Sequence, residues 1–200
     1  MLVIGLTGPS GAGKSVVSGI FAAHGIPIVD ADDIYHHILI PPSSCLNDLV
    51  YAFGPQILTA GGMLDRRALG KIVFSDEHAL AQLNQITHQY VMTAIRKKLD
   101  ELRRDGMVAA ILDAPQLFEA GANKDCNIIV SVLADQETRI NRIMRRDNID
   151  HEAALRRISA QKSDDFFRKH SDYIIENNEG INQILPVVRK ILRETGVLAE

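Results

Sequence analysis

Cysteine is scarce in this 200-residue chain: Cys45 and Cys126 stand far apart and in no metal-ligand spacing. That excludes a disulfide framework and a cysteine-built zinc site, and predicts two small apolar thiols in a reducing compartment. Long apolar runs are missing too, none reaching the roughly 18 residues of a membrane-crossing helix. The opening MLVIGLTG has no basic n-region, so no signal peptide is expected and a cytoplasmic protein is. Nor does one sign of charge dominate. A net charge of −3 gives no basis for a nucleic-acid or membrane-surface partner. Repeats and low-complexity tracts are absent. With 46% hydrophobic and 24% charged residues, the chain is expected to fold around one sizeable core with room for a subdomain, a monomer by default.

What the chain does have is a rhythm of short apolar runs separated by helical stretches. The runs cover residues 2–6, 26–29, 108–112, 128–133 and 173–175. Each lacks polar alternation, as strands buried on both faces do, and strands alternating with helices predict a parallel α/β sheet. Residues 34–107 break the rhythm with Pro41-Pro42 and Gly61-Gly62, then a long pattern of Leu80, Leu83, Ile86, Tyr90, Ala94, Ile95, Leu99 and Leu102. Ser75 is the expected N-cap of that helix, with Asp76 and Glu77 in its first turn, and Gly106 its terminator. The segment is too long for one crossover and reads as a helical insertion.

The sharpest motif is Gly8-Pro9-Ser10-Gly11-Ala12-Gly13-Lys14-Ser15, a G-x-x-x-x-G-K-S phosphate loop. It directly follows an apolar run and opens a helical pattern that closes at Gly25, the strand–loop–helix order the chemistry requires. Glycines let successive backbone N–H groups converge on anionic oxygens, and the helix N-terminus adds its positive dipole end. Lys14 is expected on the β- and γ-phosphates and the Ser15 hydroxyl on a magnesium ion. Asp113 ends the third apolar run, where a second magnesium-binding carboxylate belongs. Asp30 and Asp32 follow the second run. If the strand is still extended there, both carboxylates share one face at the carboxyl end, placed to take a proton from an attacking hydroxyl. After the N-cap Asp135, Arg139, Arg142 and Arg146 recur at i, i+3 and i+7, putting three guanidinium groups on one helix face for an anion.

These motifs, in this order and spacing, resemble the dephospho-CoA kinase family along nearly the whole chain. The matching stretches run from Ile4-Gly5-Leu6-Thr7-Gly8 through Asp30-Ala31-Asp32, Asp65-Arg66, Leu83-Asn84 and His88 to Asp113-Ala114-Pro115-Gln116-Leu117-Phe118-Glu119. Arg142, Arg146, Arg157-Ile158 and Gln161 follow, then Asp172-Tyr173-Ile174-Ile175 with Asn177 and Gly180. Three places depart from the family pattern: Gln89 stands where proline is usual, Val16 where threonine is, and Pro9-Ser10 where glycine–isoleucine is.

The resemblance implies a P-loop NTPase-like three-layer fold with a parallel five-stranded sheet. Residues 1–33 and 108–200 would form the nucleotide-binding core, with a lid at about 135–165, and 34–107 an insertion for the acceptor. It implies ATP and Mg²⁺ as cofactors, dephospho-CoA as acceptor, and CoA as product. Gly8, Gly11, Ala12, Gly13, Lys14, Ser15 and Val16 would hold the phosphates, and the loop carrying Asn177 and Gly180 would lie near the adenine. Arg142 and Arg146 would clamp phosphates, Asp32 or else Asp30 would be the general base, and Arg66, His88, Asp113 and Pro115 would line the acceptor.

Three other readings stay open on the residues alone. One is a P-loop kinase for a nucleoside, shikimate or gluconate. Another is a guanine-nucleotide switch, against which stand the absence of any D-x-x-G and the cysteine that ends Asn123-Lys124-Asp125-Cys126 where an N-K-x-D motif has aspartate. The third is a non-catalytic nucleotide binder.

Overall fold

A computed structural model describes residues 1–198; residues 199 and 200 of the expected core lie outside the described residues. Its elements run β1 (Leu2–Thr7), α1 (Lys14–Ala23), β2 (Ile28–Asp30), α2 (Ala31–His37), α3 (Ser44–Phe53), α4 (Arg66–Val73), α5 (Glu77–Arg104) and β3 (Ala109–Asp113). They continue with β4 (Ile128–Leu133), α6 (Gln136–Asp147), α7 (His151–Ser159), α8 (Asp164–His170), β5 (Tyr173–Glu176) and α9 (Ile181–Glu194). The chain divides into two compact units, Met1–Val29 with Glu101–Glu200, and Asp30–Asp100.

The first unit is built on the parallel five-stranded sheet, in the order β2-β3-β1-β4-β5. Central β1 pairs with β3 from Leu2↔Ala109 to Leu6↔Asp113, and with β4 from Ile4↔Ile128 to Thr7↔Ser131. Alternate strand residues face one main core: Ile4 and Leu6, Ala109 and Ile111, Val130 and Val132, and Ile175. Over them lie Val17, Ile20 and Phe21 of α1 and Ile184, Val188, Ile191 and Leu192 of α9. The opposite pleat carries Gly5, where an added Cβ would come within 2.8 Å of the Cys126 sulfur. Both thiols are stiffly protonated: burial pushes Cys126 up to about 12 and Cys45 to about 11, with nearby Asp125 and Asp48 adding to the effect.

The α6–α7 hairpin has a small core of its own, Ile140, Ile143 and Ala154, with Met144, Leu155 and Ile158 packed on it. Asn148 turns the chain between the helices with φ 51°, and the Asp150 carboxylate caps α7 at the Ala153 N–H, 2.7 Å.

The second unit closes around Leu39, Cys45, Leu49, Phe53, Ile57, Leu69 and Val73. Leu80, Leu83, Ile86 and Tyr90 of α5 pack against that cluster, and the Tyr90 hydroxyl donates to Asp48 of α3 at 2.5 Å. Ser75 is not the N-cap of α5. Its hydroxyl donates backwards to the Lys71 and Ile72 carbonyls (2.9 and 3.0 Å), finishing α4, and Asp76 takes over the cap by accepting from His78 N–H at 2.8 Å.

Candidate functional site

At the carboxyl end of β1 the chain turns through residues 8–13 into α1, which begins at Lys14. Gly13 is the N-cap of α1 in the left-handed region (φ 90°, ψ 31°), with no side-chain cap and no acidic residue in the first turn. The Val16 N–H bonds back to the Gly13 carbonyl (3.0 Å), and the leading end of the helix presents its positive dipole end, the kind of site that suits an anion. The carbonyl side of the loop is taken up by protein donors. Arg139 Nε donates to Ser10 O at 3.1 Å, Arg142 Nη1 to Gly11 O and Ala12 O at 3.3 Å each, and Asn177 Nδ2 to Ala12 O at 2.7 Å. A phosphate cradle needs this orientation, since carbonyls aimed at the anion would repel it.

Asn177, 2% exposed, thus works as a strut beneath the loop. Gly13 is where the strut passes: a Cβ there would stand 2.1 Å from Asn177 Nδ2. Gly8, with φ 145°, is as tightly held, since its Cβ would lie 2.2 Å from the Val132 carbonyl. Gly13→Ala is expected to break the Asn177–Ala12 bond, strain the backbone and cost roughly 1–3 kcal/mol with loss of nucleotide binding. Gly19→Ala, in open space on α1, is expected to be neutral or stabilising by about 0.5–1 kcal/mol. Urea denaturation of both variants with nucleotide titration checks the contrast.

Lys14 forms an ion pair with Asp113, whose carboxylate is 5% exposed. Asp113 ends β3 beside β1, opposite Leu6 in the register, and the next loop is tied to β1 by Ala114 N–H to Leu6 O (3.0 Å) and Thr7 Oγ1 to Pro115 O (3.3 Å). Ser15 and Val16 lie exposed on the first turn of α1. Half-buried Arg142 lies against the loop backbone, whereas Arg146 is exposed, donating to Asp147 through Nε (2.8 Å) and Nη2 (2.9 Å). Gly180, φ 89°, is the N-cap of α9.

Arg139 departs from the three-arginine anion face. It is 4% exposed, and its guanidinium also donates to Asp164 Oδ1 (3.1 Å) and Gln161 Oε1 (3.2 Å). Burial draws its pKa down and Asp164 opposes the shift. The i, i+3, i+7 spacing found a shared face, but it carries no sign of which member the fold buries.

The second unit carries Asp30, Asp32, Arg66 and His88. The strand does not stay extended past Asp30. The Asp30 carboxylate accepts from the Asp32 and Asp33 N–H groups (2.8 and 3.1 Å), caps α2 and starts the helix at Ala31. Asp32 consequently lies exposed in the first turn of α2, and the two carboxylates do not share a strand face. Arg66 opens α4, capped by Asp65, and its charge partly offsets the upward push that burial gives the Tyr35 phenol. His88 is half-buried on α5, and burial lowers its pKa, which favours the neutral imidazole.

Three comparisons bear on this arrangement. The family model described as dephospho-CoA kinase matches residues 2–183. A dephospho-CoA kinase of Carboxydothermus hydrogenoformans is 40% identical over 192 residues, covering 94% of this chain and 93% of that protein. Among solved structures, a Thermus thermophilus protein aligns with a TM-score of 0.81 at 30% identity, covering 96% of this chain and 97% of its own. The dephospho-CoA kinase of Campylobacter jejuni aligns at 0.72 and 26%, covering 98% of each.

Proposed function

The chain belongs to the dephospho-CoA kinase family, and from that membership we propose that it transfers the γ-phosphoryl group of ATP to the ribose 3′-hydroxyl of dephospho-CoA, giving CoA and ADP. The observation that carries the reading is the family match running from residue 2 to residue 183 over an intact phosphate cradle. In this reading residues 1–33 and 108–200 form the nucleotide-binding core, the α6–α7 hairpin is its lid, and 34–107 receive the acceptor in a cytoplasmic enzyme.

The roles follow from chemistry. The N–H groups of the loop and of the first turn of α1 bind the phosphate oxygens, and Lys14 offsets the charge on the β- and γ-phosphates. Arg142, already laid on the loop, and Arg146 supply forked donors to the transferring group. The loop of Asn177 and Gly180 flanks the adenine. Asp32 accepts the proton of the attacking hydroxyl, while Asp30 fixes the turn that presents it. Arg66, neutral His88 and Pro115 line the acceptor. A hydroxyl on Ser15 and a carboxylate on Asp113 are the hard oxygen donors that suit Mg²⁺, which, when bound, neutralises charge on the phosphates.

The test is incubation of the purified protein with ATP, Mg²⁺ and dephospho-CoA, with CoA followed by mass spectrometry beside nucleosides, shikimate and gluconate. CoA formation that disappears in Lys14→Ala is the expected result. Phosphorylation of another acceptor in its place would overturn the acceptor, and ATP binding without any transfer would overturn the enzyme.

A further inference from the structure

Ser10 lies in the phosphate loop between Pro9 and Gly11, and nothing in the reaction assigned above needs its side chain. Yet three groups from the α6–α7 hairpin and the turn that follows it converge on this one residue. Gln161 Oε1 accepts from the Ser10 N–H at 3.0 Å, Arg139 Nε donates to the Ser10 carbonyl at 3.1 Å, and Arg146 Nη2 donates to the Ser10 hydroxyl at 3.2 Å. Backbone donor, backbone acceptor and side chain are all engaged by one structural feature.

The anchor of this junction is buried and charged. Arg139, 4% exposed, spends its guanidinium on Ser10 O, Gln161 Oε1 and Asp164 Oδ1 together, so the base of the hairpin, the turn after α7 and the start of α8 are fixed to the loop through one side chain. A buried guanidinium with a bond from each of its three nitrogens is costly to rearrange. The end of the hairpin is held differently. Arg146 is exposed, and Asp147 gathers both Arg146 and Arg157 on one carboxylate. Asp147 is the next residue on the same hairpin and moves with Arg146, so it sets the rotamer but cannot place the arginine relative to the phosphates. The Ser10 hydroxyl can, because it belongs to the loop that binds them.

We propose that Ser10 is the docking point of the hairpin on the phosphate loop, and that its hydroxyl positions Arg146 for the phosphates of the bound nucleotide. Arg139 and Gln161 fix where the hairpin meets the loop; Ser10 Oγ sets the last degree of freedom. Ser10 is thus a positioning residue that acts through Arg146, and the inference rests on the nucleotide-binding half of the reading above, not on the identity of the acceptor.

A double-mutant cycle tests it, with the affinity for Mg²⁺·ATP measured by calorimetry and kcat measured with dephospho-CoA. Ser10→Ala is expected to weaken ATP binding or lower kcat roughly three- to tenfold, the net scale of one solvent-exposed hydrogen bond. Ser10→Thr, which keeps the hydroxyl, is expected to restore the loss. In an Arg146→Gln background Ser10→Ala is expected to change neither quantity further. The same fold-loss from Ser10→Ala in both backgrounds, or no loss in the unsubstituted one, would overturn the proposal. Thermal unfolding of each variant shows whether a loss is one of folding. The calorimetric arm needs no acceptor, so absence of CoA in the wild-type reaction would overturn the acceptor assignment and leave this coupling measurable.

Discussion

Lys14→Ala is expected to remove phosphoryl transfer, by a factor on the order of 10³ or more in kcat, and to lower the stability of the protein as well. The catalytic part follows from the proposed role: a cation at the β- and γ-phosphates would oppose charge that solvent would otherwise have to meet. The stability part follows from the partner. Asp113 is 3% exposed and ion-paired with Lys14, so deleting the lysine leaves a buried carboxylate without its counter-charge, at about 1–3 kcal/mol. The two losses are separable. Adding Asp113→Asn to Lys14→Ala removes the uncompensated charge, and the double variant should recover most of its unfolding free energy while remaining inactive. Urea denaturation read beside CoA formation makes the comparison. Activity restored along with stability would mean that Lys14 serves the fold and not the phosphates.

The phosphate loop was legible because its chemistry is local: glycines, lysine and serine at fixed offsets between a strand and a helix, all within one stretch of chain. The five strands were legible for a similar reason, since burial on both faces leaves a run of apolar residues that needs no partner to be recognised. The second strand shows the limit. Ile26 is buried in the core as its hydrophobicity demands, yet β2 starts at Ile28, because Pro27 has no N–H to give a sheet ladder. At the other end of β2 the Asp30 carboxylate takes the N–H groups ahead of it and starts a helix, while the Ser75 hydroxyl turns back to the carbonyls behind it, and only the folded chain fixes either choice. Arg139 and Asn177 are harder cases. Both are polar residues buried to hold up the carbonyl side of a loop more than 120 positions away in sequence, and no spacing or propensity carries that information. Ser10 is the same problem seen from the loop: its N–H, carbonyl and hydroxyl are met by groups more than 120 positions away that fold back onto it.

Asp32→Asn is expected to lower kcat by about 10²-fold or more while ATP binds as before, because a positioned base contributes on that scale to proton transfer and nothing to nucleotide affinity. Asp32 is exposed in the first turn of α2, so losing its charge costs the helix dipole only about 0.3–1 kcal/mol. The cap on α2 comes from Asp30, and asparagine caps as well as aspartate does, so Asp30→Asn keeps the turn intact while removing that carboxylate's basicity. Asp33→Asn, one residue on, removes the same charge from the same turn and serves as the control. A base at Asp32 predicts a large kcat loss for Asp32→Asn alone, with the acidic limb of the kcat–pH profile flattened in that variant and kept in the other two. A loss confined to Asp30→Asn would transfer the role to the capping carboxylate. Equal losses in all three would mean that the enzyme uses the negative field of the turn and no single proton acceptor, and near-normal turnover throughout would remove the end of β2 from the chemistry.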